Sequence, residues 1–144
     1  MRKFVISDRL TTADIGLDLE GDSLPELFAA AAEGMFAIIF GAPPTGPKSH
    51  QREITLQAST PEQLLVDWLS EMLYLFDAAG LVGCGYDLTL DPEDDGYRLR
   101  ASVDFREFDR DNEIAEHEIK AATYYKLNIE RAGGIFRCHV VFDL

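Results

Sequence analysis

Carboxylates are the most abundant reactive side chains in this sequence, so the first question is which of them could converge on a ligand. Residues 91–95 (DPEDD) have the acidic character of half a calcium loop, but Pro92 interrupts the pattern and Ser102 occupies the twelfth position, where Glu is required. Residues 109–113 also alternate acids with other residues, yet Ile114 follows where a calcium loop needs Gly. Both segments therefore predict solvated connections.

The last strand-like segment carries a more informative carboxylate. Alternation along residues 138–143 places Asp143 on the face opposite Phe142, and the sequence then ends at Leu144, whose α-carboxylate we expect beside Asp143. Two adjacent anions repel each other unless a cation or a basic group lies between them. A third carboxylate nearby would complete a hard, oxygen-only cation site. The alternative is a frayed, solvated terminus.

Other catalytic patterns are weak. The three histidines, at positions 50, 117 and 139, lack the HExxH or HxH spacing of zinc sites, and each is predicted to be structural or exposed. Cys84 and Cys138 form no CxxC motif, so both are predicted to be small core or strand residues. Neither a P-loop nor a strand-linked GxGxxG motif is present.

Two helices that must position any such site are strongly marked. A capping box at residues 23–26 predicts a helix that runs to Gly41 and is apolar around most of its circumference. A second capping box at residues 60–63 predicts a helix that ends near Gly80. A helix that is apolar nearly all round must lie centrally in the fold.

The rest of the sequence has the period-two alternation of strands. The predicted strands are residues 3–9, 15–21, 52–58, 84–90, 97–105, 117–130 and 135–142, with Gly133 and Gly134 as a hairpin turn. We therefore predict a single two-layer α+β domain over residues 1–144, in which a mixed, largely antiparallel sheet has two helices packed on one face.

The net charge and hydropathy of the sequence exclude some classes of function. There are 26 acidic and 13 basic residues, and the formal net charge of -13 opposes direct binding to nucleic acid. Such a charge suits divalent cations or a basic protein surface. No segment resembles a signal peptide or reaches the length of a membrane span, which predicts a cytoplasmic protein without membrane association.

Five segments together resemble the archease family, the cofactors of the cytosolic RNA-splicing ligase that joins RNA ends using GTP. TTADIG at residues 11–16 is similar to the family's His-Thr-Ala-Asp-Ile-Gly signature. The other four segments, in the same order as in the family, are AEGMF at 32–36, DWLSEMLYLFD at 67–77, IKAATY at 119–124 and FDL at 142–144. The resemblance covers essentially the whole chain.

The resemblance implies a divalent cation site, usually described as calcium, at Asp14, Asp143 and Leu144. Carboxylate oxygens suit Ca²⁺ or Mg²⁺, so the chemistry of these residues agrees with that implication. Two positions differ from the family pattern: Thr11 and Tyr125 stand where the family usually has His. If these two positions face each other, a joint replacement is expected.

The resemblance implies a metal-binding accessory protein, not an enzyme, that promotes guanylylation and turnover of the RNA-splicing (tRNA) ligase. Its acidic field would steer it to a basic cleft on that partner. The alternative is a diverged interaction module that retains the cation site but serves another protein. A hydrolase using Asp14, Asp143 and a bound metal is a third class, for which the sequence shows no nucleophile or base.

Overall fold

The computed structural model describes residues 1–7 and 13–144, which form two helices and eight strands. In chain order the elements are β1 (Arg2–Ile6), β2 (Asp14–Gly21), α1 (Leu24–Phe40), β3 (His50–Ala58), α2 (Pro61–Ala79), β4 (Leu81–Glu93), β5 (Gly96–Glu107), β6 (Ala121–Ala122), β7 (Glu130–Ala132) and β8 (Ile135–Asp143).

Helix α1 is the centre of the core. It begins after Ser23, whose Oγ accepts a hydrogen bond from the Glu26 N–H, and it ends at Gly41, which has the left-handed φ of 79°. Twelve of its 17 residues are buried, and it contacts β1 and β2 on one side and β4 on the other. This all-round burial is what its nearly continuous apolar surface predicts.

Helix α2 is joined to α1 by a buried polar contact. It begins after Thr60, whose Oγ1 accepts from the Gln63 N–H at 3.1 Å. Within the core, Nε1 of Trp68 donates to the carbonyl oxygen of Phe28 on α1 at 2.9 Å, and both side chains are fully buried. The indole thus fills the space between the helices and satisfies its own donor.

The strands form two sheets, and every described pairing is antiparallel. One sheet has the order β1-β2-β8-β6 with β7 also paired to β8, and the other has the order β3-β5-β4. The predicted α+β class, with antiparallel strands and two helices, is confirmed. The strands are divided between two sheets, however, and α1 contacts both of them.

The two helices and most strands lie where the sequence predicts them. Gly133 and Gly134 form the predicted hairpin turn, with φ of 59° and 78°. The strand predicted over residues 117–130 is wrong, because only residues 121–122 and residue 130 are extended in a sheet. The backbone turns at residues 124–127, where Lys126 has a φ of 51° that no strand residue adopts. Residues 8 and 9 of the first predicted strand lie outside the described residues.

Replacing the central indole tests this description of the core. Trp68→Ala removes a fully buried side chain and leaves the Phe28 carbonyl without its donor, so we expect the free energy of unfolding to fall by about 3–5 kcal/mol. Tyr74→Ala on the same helix is the control. Because the Tyr74 side chain is exposed, we expect a loss below about 0.5 kcal/mol. Urea titrations that gave equal losses would contradict the packing described here.

Candidate metal centre

Strands β2 and β8 pair over their whole lengths and bring the two ends of the sequence together. Ile15, Leu17 and Leu19 of β2 face the core, and Val140 and Phe142 of β8 do the same. The alternate residues of both strands therefore share the outer face of the sheet. This is the face on which the sequence predicts the carboxylates.

Asp14 lies directly opposite Asp143 in the β2–β8 register. The neighbouring backbone bond runs from the Leu144 N–H to the carbonyl oxygen of Ala13, at 2.7 Å. Asp14 and Asp143 therefore form a narrow pair of the antiparallel ladder, in which facing Cα atoms are about 4.5 Å apart and side chains are closest. Like charges directly opposite each other in a sheet repel, and a cation held by both carboxylates would offset that repulsion.

Backbone groups beside the pair already have protein partners. The carbonyl oxygen of Asp143 accepts from the Lys120 N–H at 2.8 Å, and Ala121 of β6 pairs with Asp143 on the side away from β2. The Leu144 amide is held by Ala13, which keeps the last residue at the strand end. The carboxylate oxygens are the anionic ligands at this end of the sheet.

Those ligands fit a hard divalent cation. The predicted set consists of the Asp14 and Asp143 carboxylates and the α-carboxylate of Leu144, all oxygen donors of the kind that Ca²⁺ and Mg²⁺ prefer. Within residues 1–7 and 13–144, no cluster of three or more His, Cys, Asp or Glu side chains is arranged to hold a metal ion. Two side chains and a chain terminus are the whole of the predicted set.

A second group of polar side chains lies farther along the same face. Nδ1 of His139 lies 2.7 Å from Oδ1 of Asp18, its register partner. The imidazole covers Gly16, where a Cβ would lie 2.6 Å from the ring and 2.7 Å from Oγ of Ser7. Ser7 Oγ is buried and has no hydrogen-bond partner among the described residues. The alternation of β2 and β8 assigns Asp18 and His139 to the outer face, but only the register of the two strands pairs them.

Asp18 and His139 line an open groove of about 650 Å³. An ion pair, in which Nε of Arg137 lies 3.1 Å from Oε1 of Glu20, continues the row of facing residues. Lys3 of β1 and Lys126 of the opposite turn complete the rim. The groove thus carries both signs of charge, whereas the end of the sheet at Asp14 and Asp143 is acidic.

The two acidic segments predicted to be solvated connections use their carboxylates within the chain. Glu93 accepts hydrogen bonds from Gln57 and Arg98, and the bond from Gln57 is the main cause of its lowered pKa. The Arg106 guanidinium donates two bonds of 2.7 Å to Glu113 and lowers the pKa of that carboxyl. Residues 91–93 therefore belong to β4, where Glu93 bonds to β3 and β5, and Glu113 orders the loop that follows β5.

The structure describes one of the two positions that depart from the archease pattern. Tyr125 lies on an exposed turn after β6, with 59% of its side chain accessible. Thr11 lies outside the described residues, so the prediction that the two positions face each other stays untested.

The two cysteines are not part of the candidate metal centre. Cys138 faces the core, and burial raises the pKa of its thiol to about 12. Cys84 lies on β4, where its Sγ donates to the carbonyl oxygen of Asp104 and burial again raises the pKa. The structure therefore places both as the sequence predicts, on strands, and both thiols are protonated at neutral pH.

Comparison with known sequences finds one matching family model over residues 7–144, described as the Archease protein family (MTH1598/TM1083). A protein named "Protein archease" from Methanosarcina mazei is 34% identical over 134 residues, which is 92% of this chain and 91% of that protein. Its counterpart from Methanosarcina acetivorans is 36% identical over 136 residues, with the same shares of the two chains.

Solved structures also resemble this one. A protein from Methanobacterium thermoautotrophicum, solved in solution, has a TM-score of 0.82 and 26% identity, with 98% of each chain covered. A crystal structure from Thermotoga maritima, described as an archease and "possible chaperone", has a TM-score of 0.63, 24% identity and 93% coverage of each chain. The second likeness concerns the fold alone.

Thiol reactivity tests the placement of the cysteines. A pKa of about 12 leaves about one Cys138 thiol in ten thousand ionised at pH 8, so we expect it to react with Ellman's reagent only as fast as the protein unfolds. Cys84→Ser and Cys138→Ser isolate the two thiols, and urea supplies the unfolded reference. Rapid reaction of native Cys138 would contradict its burial.

Proposed function

Because the chain belongs to the archease family, we propose that it is an accessory protein that promotes guanylylation and turnover of the RNA-splicing ligase. The predicted resemblance to this family is confirmed by the family model and by the Methanosarcina relatives. The observation that carries the proposal is the position of Asp14 opposite Asp143, because these residues belong to two distant segments that resemble the family, at positions 11–16 and 142–144.

In this proposal the paired carboxylates and the α-carboxylate of Leu144 hold Ca²⁺, Mg²⁺ or another divalent cation. The narrow register supports this assignment, because it sets two anions side by side at a place where the backbone groups are already bonded. When bound, the cation supplies positive charge and open coordination positions for oxygen ligands. The chain itself fixes both carboxylates on strands, which position ligands more accurately than loops do.

The partner in this proposal is a protein in the cytoplasm, and the chain carries out no reaction of its own. Membership of the archease family favours an accessory role. The net charge of -13 favours a basic partner surface, because opposite fields accelerate the encounter of two proteins. No helix in the described part of the chain combines the length and the apolar character of a membrane span.

A diverged interaction module is the second candidate. The observation that favours it is Tyr125, an exposed side chain where the family usually has His. A replacement at an exposed position beside the acidic end could change partner choice without altering the fold. In this reading the cation site is retained and the ligase is not the partner.

Calorimetry tests the cation site. We expect Ca²⁺ or Mg²⁺ to bind to the wild-type chain and binding to weaken at least tenfold in Asp14→Ala, because one of the facing carboxylates is lost. Asp95→Ala is the matched control, since it removes the same charge from the exposed β4–β5 turn. Equal binding by the wild type and the Asp14→Ala, Asp143→Ala double variant would show that these residues hold no cation.

A multiple-turnover RNA-joining assay tests the function. We expect catalytic amounts of the chain to raise the turnover of its cognate ligase, and Asp143→Ala to remove most of the gain while Asp95→Ala does not. One residue appended after Leu144 moves the terminal carboxylate but keeps every side chain, so it is expected to have the same effect as Asp143→Ala.

The same assay separates the two candidates. If the wild type gives no stimulation, Thr11→His combined with Tyr125→His is the next variant to assay. Stimulation only by that double variant would identify a degenerate family member. Stimulation by neither protein would overturn ligase activation and favour the interaction module.

A further inference from the structure

Two tyrosines project side by side from the turn that follows β6. Residues 123–127, here called the tyrosine turn, include Tyr124 with 56% and Tyr125 with 59% of the side chain accessible. Tyrosine offers a large, amphipathic contact area at low cost in conformational entropy, and it is enriched at the energetic centres of protein interfaces. No other described segment exposes two adjacent aromatic side chains.

The tyrosine turn is held firmly to the sheet. The N–H and the Oγ1 of Thr123 both donate to the carbonyl oxygen of Val141 on β8, at 3.0 and 2.8 Å. The Leu127 N–H closes the turn by donating to the carbonyl oxygen of Tyr124 at 3.0 Å. Lys126 adopts a left-handed φ of 51°, the only positive φ among the described non-glycine residues. The two rings are therefore presented by an ordered backbone.

The turn is also tied to the helix layer. The Ile129 N–H donates to Oε2 of Glu62, in the first turn of α2, at 2.9 Å. Leu127 and Ile129 pack against the core from the same segment. An interface contact that is ordered before binding loses less entropy when the complex forms.

The tyrosine turn follows the acidic end along β8. Ala121 pairs with Asp143 and Ala122 with Phe142, so the chain leads from the acidic end to the turn beside that strand. Thr123 is anchored to Val141, two residues before Asp143 on the same strand. A partner that reaches the carboxylates from this side would contact the tyrosine turn.

The charge of the chain selects the partner. With 26 acidic and 13 basic residues the molecule attracts a basic surface, and tyrosine faces attract cations through the ring quadrupole. Nζ of Lys126 already lies 5.4 Å from the centre of the Tyr125 ring, which shows this contact within the chain. Arginine suits the remaining ring faces best, because its planar guanidinium stacks on aromatics.

We propose that the tyrosine turn is the docking contact for a basic, arginine-bearing protein surface, and that it supplies affinity while the adjacent carboxylates supply the effect on the partner. This inference rests on the proposed function, which identifies that partner as the ligase. The inference assigns two separate roles. The tyrosines determine the affinity for the partner, and Asp14 and Asp143 determine how far the bound chain stimulates the partner's turnover.

These separate roles are tested by measuring binding and turnover with the full chain and its cognate ligase. We expect the Tyr124→Ala, Tyr125→Ala double variant to raise the Kd and the concentration for half-maximal stimulation at least tenfold, with the maximal stimulation unchanged. Asp143→Ala should show the reverse pattern. Tyr74→Ala is the matched control, because Tyr74 is 62% exposed on α2 and is expected to bind as the wild type does.

Conservative variants guard against a folding defect. Tyr124→Phe with Tyr125→Phe keeps both rings, and we expect it to bind within about threefold of the wild type, since stacking needs the ring and not the hydroxyl. Circular dichroism should give the same melting temperature for the alanine and phenylalanine variants. Weak binding by both pairs of variants with wild-type melting curves would overturn a role for the ring faces.

The outcomes distinguish this inference from the function on which it rests. If the wild type neither binds nor stimulates the ligase, the proposed function and the docking partner both fail. If the wild type stimulates and the alanine double variant has an unchanged Kd, only the docking contact fails. If the wild type binds an RNA oligonucleotide and the double variant does not, the turn is a nucleic-acid contact and the inference is overturned.

Discussion

The pairing of β2 with β8 is the constraint on which the rest of this structure depends. Side chains alternate along both strands, so a slip of one residue would move Leu17 and Leu19 from the core to solvent and turn the charged residues inward. The hydrophobic face thus fixes the register, and the register sets Asp14 opposite Asp143. The position of the acidic end is a consequence of how the core is packed.

Helix α1 makes that register possible by filling the space between the two sheets. Its backbone comes close to β2 at Gly34, where a Cβ would lie 2.6 Å from the side chain of Leu17. Helix α2 packs against α1 through Trp68, whose indole N–H donates a hydrogen bond to the α1 backbone. Both helices therefore support the strands that carry the carboxylates.

Local rules explain which parts of this fold could be predicted from sequence. Ser23 and Thr60 cap their helices through contacts within three residues, so both starts were predictable, whereas the division into two sheets depends on pairings between distant strands. The turn around Lys126 was missed because alternation says nothing about a left-handed backbone. Strand alternation predicted the face on which Asp143 lies, whereas Asp14 was identified as a candidate ligand through the resemblance to the archease family. The facing of Asp18 and His139 needed the register of the sheet.

Among the strands in the described residues, β8 comes last in chain order and yet lies inside its sheet, between β2 and β6. During synthesis, β2, β6 and β7 cannot complete their pairing until β8 has left the ribosome, because β8 is their shared partner. A product truncated before Ile135 would expose the edge of β2 and lack Asp143. The acidic end can therefore appear only after β8 has been translated and has paired with β2, so an interrupted chain never presents it.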